Sequence, residues 1–195
     1  MTDTTVRAAQ PTLVTPRLRL RPFALADAPD VQRLAGARAV AATTLTIPHP
    51  YPDGAATAWI GTHAAAWVSG RGAHYAVTDA TGGGALVGAV SLALMPAHAG
   101  AELGYWIAEP AWGRGYATEA AAALCAYAFA NLGVHRIQAR HFAGNPASGR
   151  VMQKLGLRRE GTLRAAVRKD GRFEDLALYA VLAPEWTLAG AASIP

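Results

Sequence analysis

The chain is short of cysteine, of charge and of lysine. One Cys stands among 195 residues, so no intrachain disulfide framework can form and a reducing compartment is the default. Charged residues make up 16% of the chain against 52% hydrophobic, which excludes a solvated, disordered polymer. Lys154 and Lys169 are the two lysines, and no Lys/Arg run occurs. The net charge of +5 therefore lacks the clustering of a nucleic-acid footprint. It fits a mildly basic surface or one small anionic ligand. Long apolar runs are missing as well. Met1 to Pro16 is polar and holds no secretory core. Ala117 to Ala130 is the most apolar stretch, too short for a bilayer and mostly alanine. These absences predict a cytoplasmic protein with neither membrane nor nucleic acid as partner. Repeats and heptads are absent too, and the length suits one domain with a sizeable core.

What is present is alanine, at 46 positions, and a clear alternation of patterns. Residues 1–14 read as a flexible leader, 15–183 as the domain and 184–195 as a C-terminal tail. Thr15 to Phe23 alternates leucine with arginine, the signature of a half-buried strand. Asp27 can cap a helix running to Ala35, and Asp53 a second from Ala55 to Ser69. Trp59, Ile60, His63 and Trp67 then share a core-facing stripe. Three strands follow: His74–Thr78, Ala85–Met95 after a turn at Gly82–Gly84, and Ala101–Ile107. A helix over Thr118–Asn131, a strand over His135–Phe142 and a helix over Asn145–Leu155 come next. The tail of the domain holds two strands around Lys169-Asp170-Gly171. A meander that turns into alternating strands and helices predicts an α/β fold, with a mixed sheet and helices on both faces.

The loop Trp112-Gly113-Arg114-Gly115-Tyr116-Ala117-Thr118 lies between a strand and a helix. Glycines let the backbone approach a ligand closely. The following helix offers unpaired N–H groups and the positive end of its dipole. Together they form an anion cradle, to which Arg114 adds charge. No Gly-Lys-Ser/Thr follows, so this is not a Walker loop, and the dinucleotide fingerprint is incomplete. An ordinary strand-to-helix turn is the plainer reading.

In order and spacing, four segments resemble the GCN5-related N-acetyltransferases (GNAT). The loop is similar to that family's pyrophosphate motif, Gln/Arg-x-x-Gly-x-Gly/Ala, with Gly115 and Ala117 at the last two fixed positions and Trp112 in place of the usual Gln or Arg. Ala101–Ile107 resembles the central strand. Asn145-Pro146-Ala147-Ser148 followed by Lys154-Leu155-Gly156-Leu157 resembles the family's later helix segment. Thr15 to Arg21 resembles the first strand of the subgroup of ribosomal-protein alanine N-acetyltransferases (RimJ/RimL-like). The resemblance spans about residues 13–183. It implies a single domain whose mostly antiparallel sheet is splayed at its centre. It also implies acetyl-CoA as co-substrate, direct transfer to an amine acceptor (a protein N-terminus or a small amine), no metal, and the family habit of a homodimer.

Acyl transfer from a thioester to an amine makes four demands. The cofactor falls to Gly113, Arg114, Gly115, Tyr116, Ala117 and Thr118, with Trp106, Ile107 and Ala108 along the pantetheine path. An Ile107 or Ala108 amide is the natural donor to the carbonyl oxygen. Asn145 resembles the family's pantetheine-binding Asn, or is a plain helix cap. Arg150 and Lys154 meet the phosphates, or are a solvated helix face. Glu102, a carboxylate in an otherwise apolar strand, is the general-base candidate, directly or through water, and touches the acceptor; a solvent-facing edge charge is its alternative. Ser148 protonates the thiolate, or bonds its own helix backbone. His49 and Tyr51, on the proline-broken loop, are substrate-binding candidates. Cys125 reads as a small buried group, and the six histidines lack metal spacing. Two other functions stay open: a non-catalytic acyl-CoA-binding module, and a protein that binds another nucleotide.

Overall fold

Leucine–arginine alternation in the first long strand is realised as β2 (Leu18–Pro22), with Leu18 and Leu20 fully buried. The computed structural model of the protein describes residues 7–187. The outer parts of the expected leader and tail, 1–6 and 188–195, lie outside the described residues. The inner part of the leader is pinned rather than loose. Trp67 Nε1 donates to the Ala8 carbonyl (2.6 Å), Gln10 Nε2 donates to the His74 carbonyl (2.8 Å), and Leu13 is buried in a two-residue strand, β1 (Leu13–Val14).

The remaining strands are β3 (Gly72–Asp79), β4 (Leu86–Met95), β5 (Gly100–Ile107), β6 (Arg136–Phe142), β7 (Arg158–Lys169) and β8 (Arg172–Leu182). They form one sheet in the order β1-β2-β3-β4-β5-β6-β8-β7. Every neighbouring pair is antiparallel except β5 and β6. The helices are α1 (Ala28–Ala35), α2 (Arg38–Ala41), α3 (Ala55–Gly61), α4 (His63–Val68), α5 (Tyr116–Asn131) and α6 (Pro146–Lys154). The mixed sheet and helix order are thus as expected. The stretch 55–69 is two helices divided at Thr62, and α2 was not foreseen in a four-residue segment too short for a periodic signal.

Two core clusters lie on the two faces of the sheet. On one, α1 and α3 cover Ala76, Ala89 and Trp106. On the other, α5 and α6 cover Leu92, Leu103, Ile107 and Ile137. Alanine explains how α5 sits there. Ala120, Ala121, Leu124, Cys125 and Ala128 are all at most 1% exposed, and their small side chains let the helix lie close against the sheet.

Candidate active site

The site begins where the sheet parts. β5 and β6 pair in parallel only from Gly100↔Arg136 to Leu103↔Ala139. Beyond that point β5 continues on β4 as far as Ile107, while β6 continues on β8 as far as Phe142. The gap opens into a cleft of about 350 Å³ walled by the start of α5 on one side and by α6 on the other. Along β5, Ala108 N–H donates to the Val87 carbonyl (2.8 Å), with Gly88 and Ile107 as partners. Ile107 is therefore in a non-hydrogen-bonded pair with β4, and its own N–H and C=O point to the parted side. Of the two amides proposed to polarise a carbonyl, Ala108 is corrected: its N–H is already spent on β4.

The α5 wall is held from behind by charge. Gly115 is the residue before the helix, at φ +80°, a left-handed conformation that side chains disfavour. The first helical bond runs from Glu119 N–H to the Gly115 carbonyl (3.1 Å), so the amides of Tyr116, Ala117 and Thr118 have no partner within the helix. Glu119 accepts from Thr15 Oγ1 (2.6 Å), Arg17 N (3.0 Å) and Arg17 Nε (2.7 Å), and Arg17 Nη1 donates to the Arg114 carbonyl (2.9 Å). The turn between β1 and β2 thereby grips the loop. Tyr116 Oη donates to Asp79 Oδ2 (2.8 Å). Bonds from Thr81 and Tyr116 hold the Asp79 carboxyl down at about 2. Both guanidinium groups, of Arg17 and Arg114, lie over the Tyr116 ring at 5.1 and 5.0 Å. The Arg114 side chain faces Asp79 at 3.9 Å and is not part of the cleft lining. Opposite, Trp112 lines the cleft and its indole N–H donates to the Ile107 carbonyl (2.6 Å).

The α6 wall is held by fit. Asn145 caps the helix, its Oδ1 accepting from Ser148 N–H (3.3 Å), and its side chain still borders the cleft. A Cβ on Gly149 would stand 2.9 Å from His141 Nε2, so glycine is what lets α6 rest directly on β6. That approach brings Ser148 to Tyr105: Oγ to Oη is 2.7 Å. Burial pushes the Tyr105 phenol up to about 12, against the lowering effect of its bond to Ser148. Arg150 and Lys154 also line the cleft.

Glu102 lies two residues before Gly104, on the opposite face of β5 from Tyr105. It borders the point of parting but does not line the cleft. Its Oε1 accepts from Arg140 Nε (2.9 Å) and Nη2 (2.7 Å), and Oε2 from Gln138 Nε2 (3.3 Å). His49 and Tyr51 are likewise outside the lining. His49 Nδ1 donates to the Gly36 carbonyl (2.9 Å), and Tyr51 packs on the α1–α3 cluster. Val40, Thr43 and Thr44, from α2 and the turn after it, supply the cleft edge there instead. Trp106, Ile107, Gly113, Gly115, Tyr116, Ala117 and Thr118 do line it.

The family model described as the acetyltransferase (GNAT) domain matches residues 17–158. The chain belongs to the GNAT family. Among solved structures, Mycobacterium smegmatis RimJ in complex with CoA-disulfide superposes on this GNAT chain with a TM-score of 0.80 at 27% identity, covering 91% of this chain and 90% of that one. YoaA of Bacillus subtilis, an uncharacterized N-acetyltransferase, is 36% identical over 51% of this chain and 56% of its own length. The ribosomal protein uS5-alanine N-acetyltransferase of Escherichia coli is 34% identical over 44% of each. The chain thus spans about half the length of the curated relatives it matches.

Among the described residues, no group of three or more His, Cys, Asp or Glu could hold a metal, and no helix is long and apolar enough to cross a membrane. Three residues around this GNAT cleft were not singled out in the sequence. Tyr105 could have been, because its odd spacing from Glu102 puts it on the other face of the strand. Arg140 and Arg17 meet their carboxylate partners 38 and 102 residues away, and nothing local marks those partners.

Proposed function

We propose that the protein is an acetyl-CoA-dependent N-acetyltransferase that passes acetyl directly to a primary amine, with a protein N-terminal amine favoured. One observation carries this reading. The open edge at Ile107 lies between a glycine-started helix and a Tyr–Ser pair, in a cleft edged by two cationic side chains. The donor set suits a ligand with phosphates at one end and an acyl thioester at the other. Tyr116, Ala117 and Thr118 amides, with Arg150 and Lys154, would hold the phosphates. Asn145 and the free edge of β5 would hold the amide-bearing arm in the manner of an added strand. Acetyl-CoA supplies the activated acetyl group.

The chain's own groups then divide the work. Ile107 N–H donates to the acetyl oxygen as charge gathers there. Ser148 Oγ donates to the departing sulfur. Glu102 takes the amine proton through water, since its carboxylate stands beside the cleft rather than in it. An N-terminal amine, with a pKa of about 7.7–8.0, is substantially neutral near pH 7.5 and asks little of that base, unlike a lysine at about 10.4. The uS5-alanine relative supports the same acceptor class.

Thiol release from acetyl-CoA, measured against a panel of N-terminal peptides and small amines, tests the reading. Glu102→Gln is expected to lower kcat with little change in the KM for acetyl-CoA; full activity across pH 6–9 would remove Glu102 from the base role. A non-catalytic acyl-CoA-binding module has one observation in its favour, the Trp112 indole on the Ile107 carbonyl. Binding of acetyl-CoA without thiol release from any acceptor would support it.

A further inference from the structure

Tyr105 lines the cleft and has no part in the reaction as laid out above. Its phenol sits 2.7 Å from Ser148 Oγ and 3.2 Å from the Ser148 carbonyl. One phenolic proton serves one of these strongly. The Oγ contact is the shorter, and the carbonyl already serves the N–H four residues on in α6. A phenol is also a stronger donor than an aliphatic alcohol. Burial holds the Tyr105 phenol at about 12, so it stays protonated at any working pH. The partner alternation of β5 fixes the ring on this face, and Gly149 fixes the distance from the helix.

We propose that Tyr105 is a positioning residue: its O–H donates to Ser148 Oγ and turns the serine's own proton into the cleft, toward the leaving sulfur. The inference rests on the acetyl-transfer reading above. Tyr105 keeps its proton throughout. It acts by orienting Ser148 and by polarising the serine O–H, because a hydroxyl that accepts one hydrogen bond donates the next more strongly.

Two measurements test this together. The first is the affinity for CoA itself, from pH 7 to 9.5, beside that for a desulfo analogue. A thiol titrates near 8.5, and donors aimed at the thiolate favour the ionised form. The wild type is therefore expected to bind CoA more tightly as pH rises, with a flat profile for the analogue. Tyr105→Phe is expected to keep its melting temperature and lose most of that rise, and Ser148→Ala to do the same. The second is turnover. Either substitution is expected to lower kcat roughly 10-fold, the size of one lost hydrogen bond, with the KM for acetyl-CoA within about 2-fold. The double variant is expected to be no slower than the slower single one. A wild-type pH rise and kcat in Tyr105→Phe would overturn the proposal, and so would losses that multiply in the double variant. A wild type that binds neither CoA nor acetyl-CoA would instead bring down the acetyl-transfer reading, and this inference with it.

Discussion

The α5 wall of the cleft is tied by charge to the far end of the sheet, whereas the α6 wall is held by apolar packing of Met152 and by one close approach at Gly149. Around α5, Thr15, Arg17, Asp79 and Glu119 cross-link the loop through five hydrogen bonds and an ion pair reaching from the turn between β1 and β2 to the first helical turn. Around α6, Gly149 lets the helix touch His141, and the Tyr105–Ser148 bond follows from that touch. The difference matches what each wall would do in the proposed acetyl transfer. An anion is held by amides that need only point the right way, and many ties make that direction stiff. A hydroxyl aimed at one atom depends on distance, and a small shift of its helix changes the chemistry without emptying the site.

The contrast breaks first at Gly115. At φ +80°, a β-branched residue costs roughly 1–3 kcal/mol of strain or rebuilds the turn, so Gly115→Val should weaken acetyl-CoA binding by about 10- to 100-fold in calorimetric titration. The rate at saturation should move far less. The opposite pattern belongs to the other wall. Gly149→Ala places a Cβ against His141 Nε2 at 2.9 Å, which moves α6 by tenths of an ångström. The expected result is a kcat lowered roughly 5-fold with acetyl-CoA affinity nearly kept, and recovery when His141→Ala is added. If affinity falls and kcat does not, the division of labour between the walls is wrong.

A control region sharpens the comparison because it should alter neither wall. His63 and His74 stack at 4.3 Å between their centroids, with Phe23 and Trp59 against His63. Burial, and secondarily His74, hold His63 down at about 3, and burial lowers His74 as well. An unfolded histidine titrates near 6.5. Between these values the unfolded chain binds more protons, so the pair's contribution is complete above about pH 6.5 and is lost as pH falls toward 3. The urea midpoint should therefore drop between pH 7.5 and 5, and the drop should shrink in His63→Phe. Acetyl-CoA affinity at pH 7.5 should stay unchanged in that variant.

Much of the fold was legible because it is written in local pattern. Alternation in 18–21, the glycine turn at 82–84, the alanine run after Gly115 and the Asn145 cap each report on neighbours a few residues away. The glycine loop beside the cleft was legible for the same reason: its glycines and helix start lie within one short segment, whereas the cations that line the cleft, Arg150 and Lys154, come from α6. The opposite edge of the cleft was not. His49 and Tyr51 stood on the proline-broken loop, yet they bond and pack toward α1, and the cleft edge is made by Val40, Thr43 and Thr44, from a helix too short to announce itself and the turn after it. Ala108 and Ile107 could not be separated until strand pairing showed which amide β4 already holds.

The sequence by itself determined the kinds of element, their order, the family pattern and the glycine loop that starts a helix at the cleft. Short-range sterics and periodicity suffice for that. Where the sheet parts, which amide is left free, which arginine grips Glu119 and which phenol meets Ser148 were decided only in the tertiary structure. Each depends on groups between 21 and 102 residues apart, and no local pattern carries the register that brings such groups together.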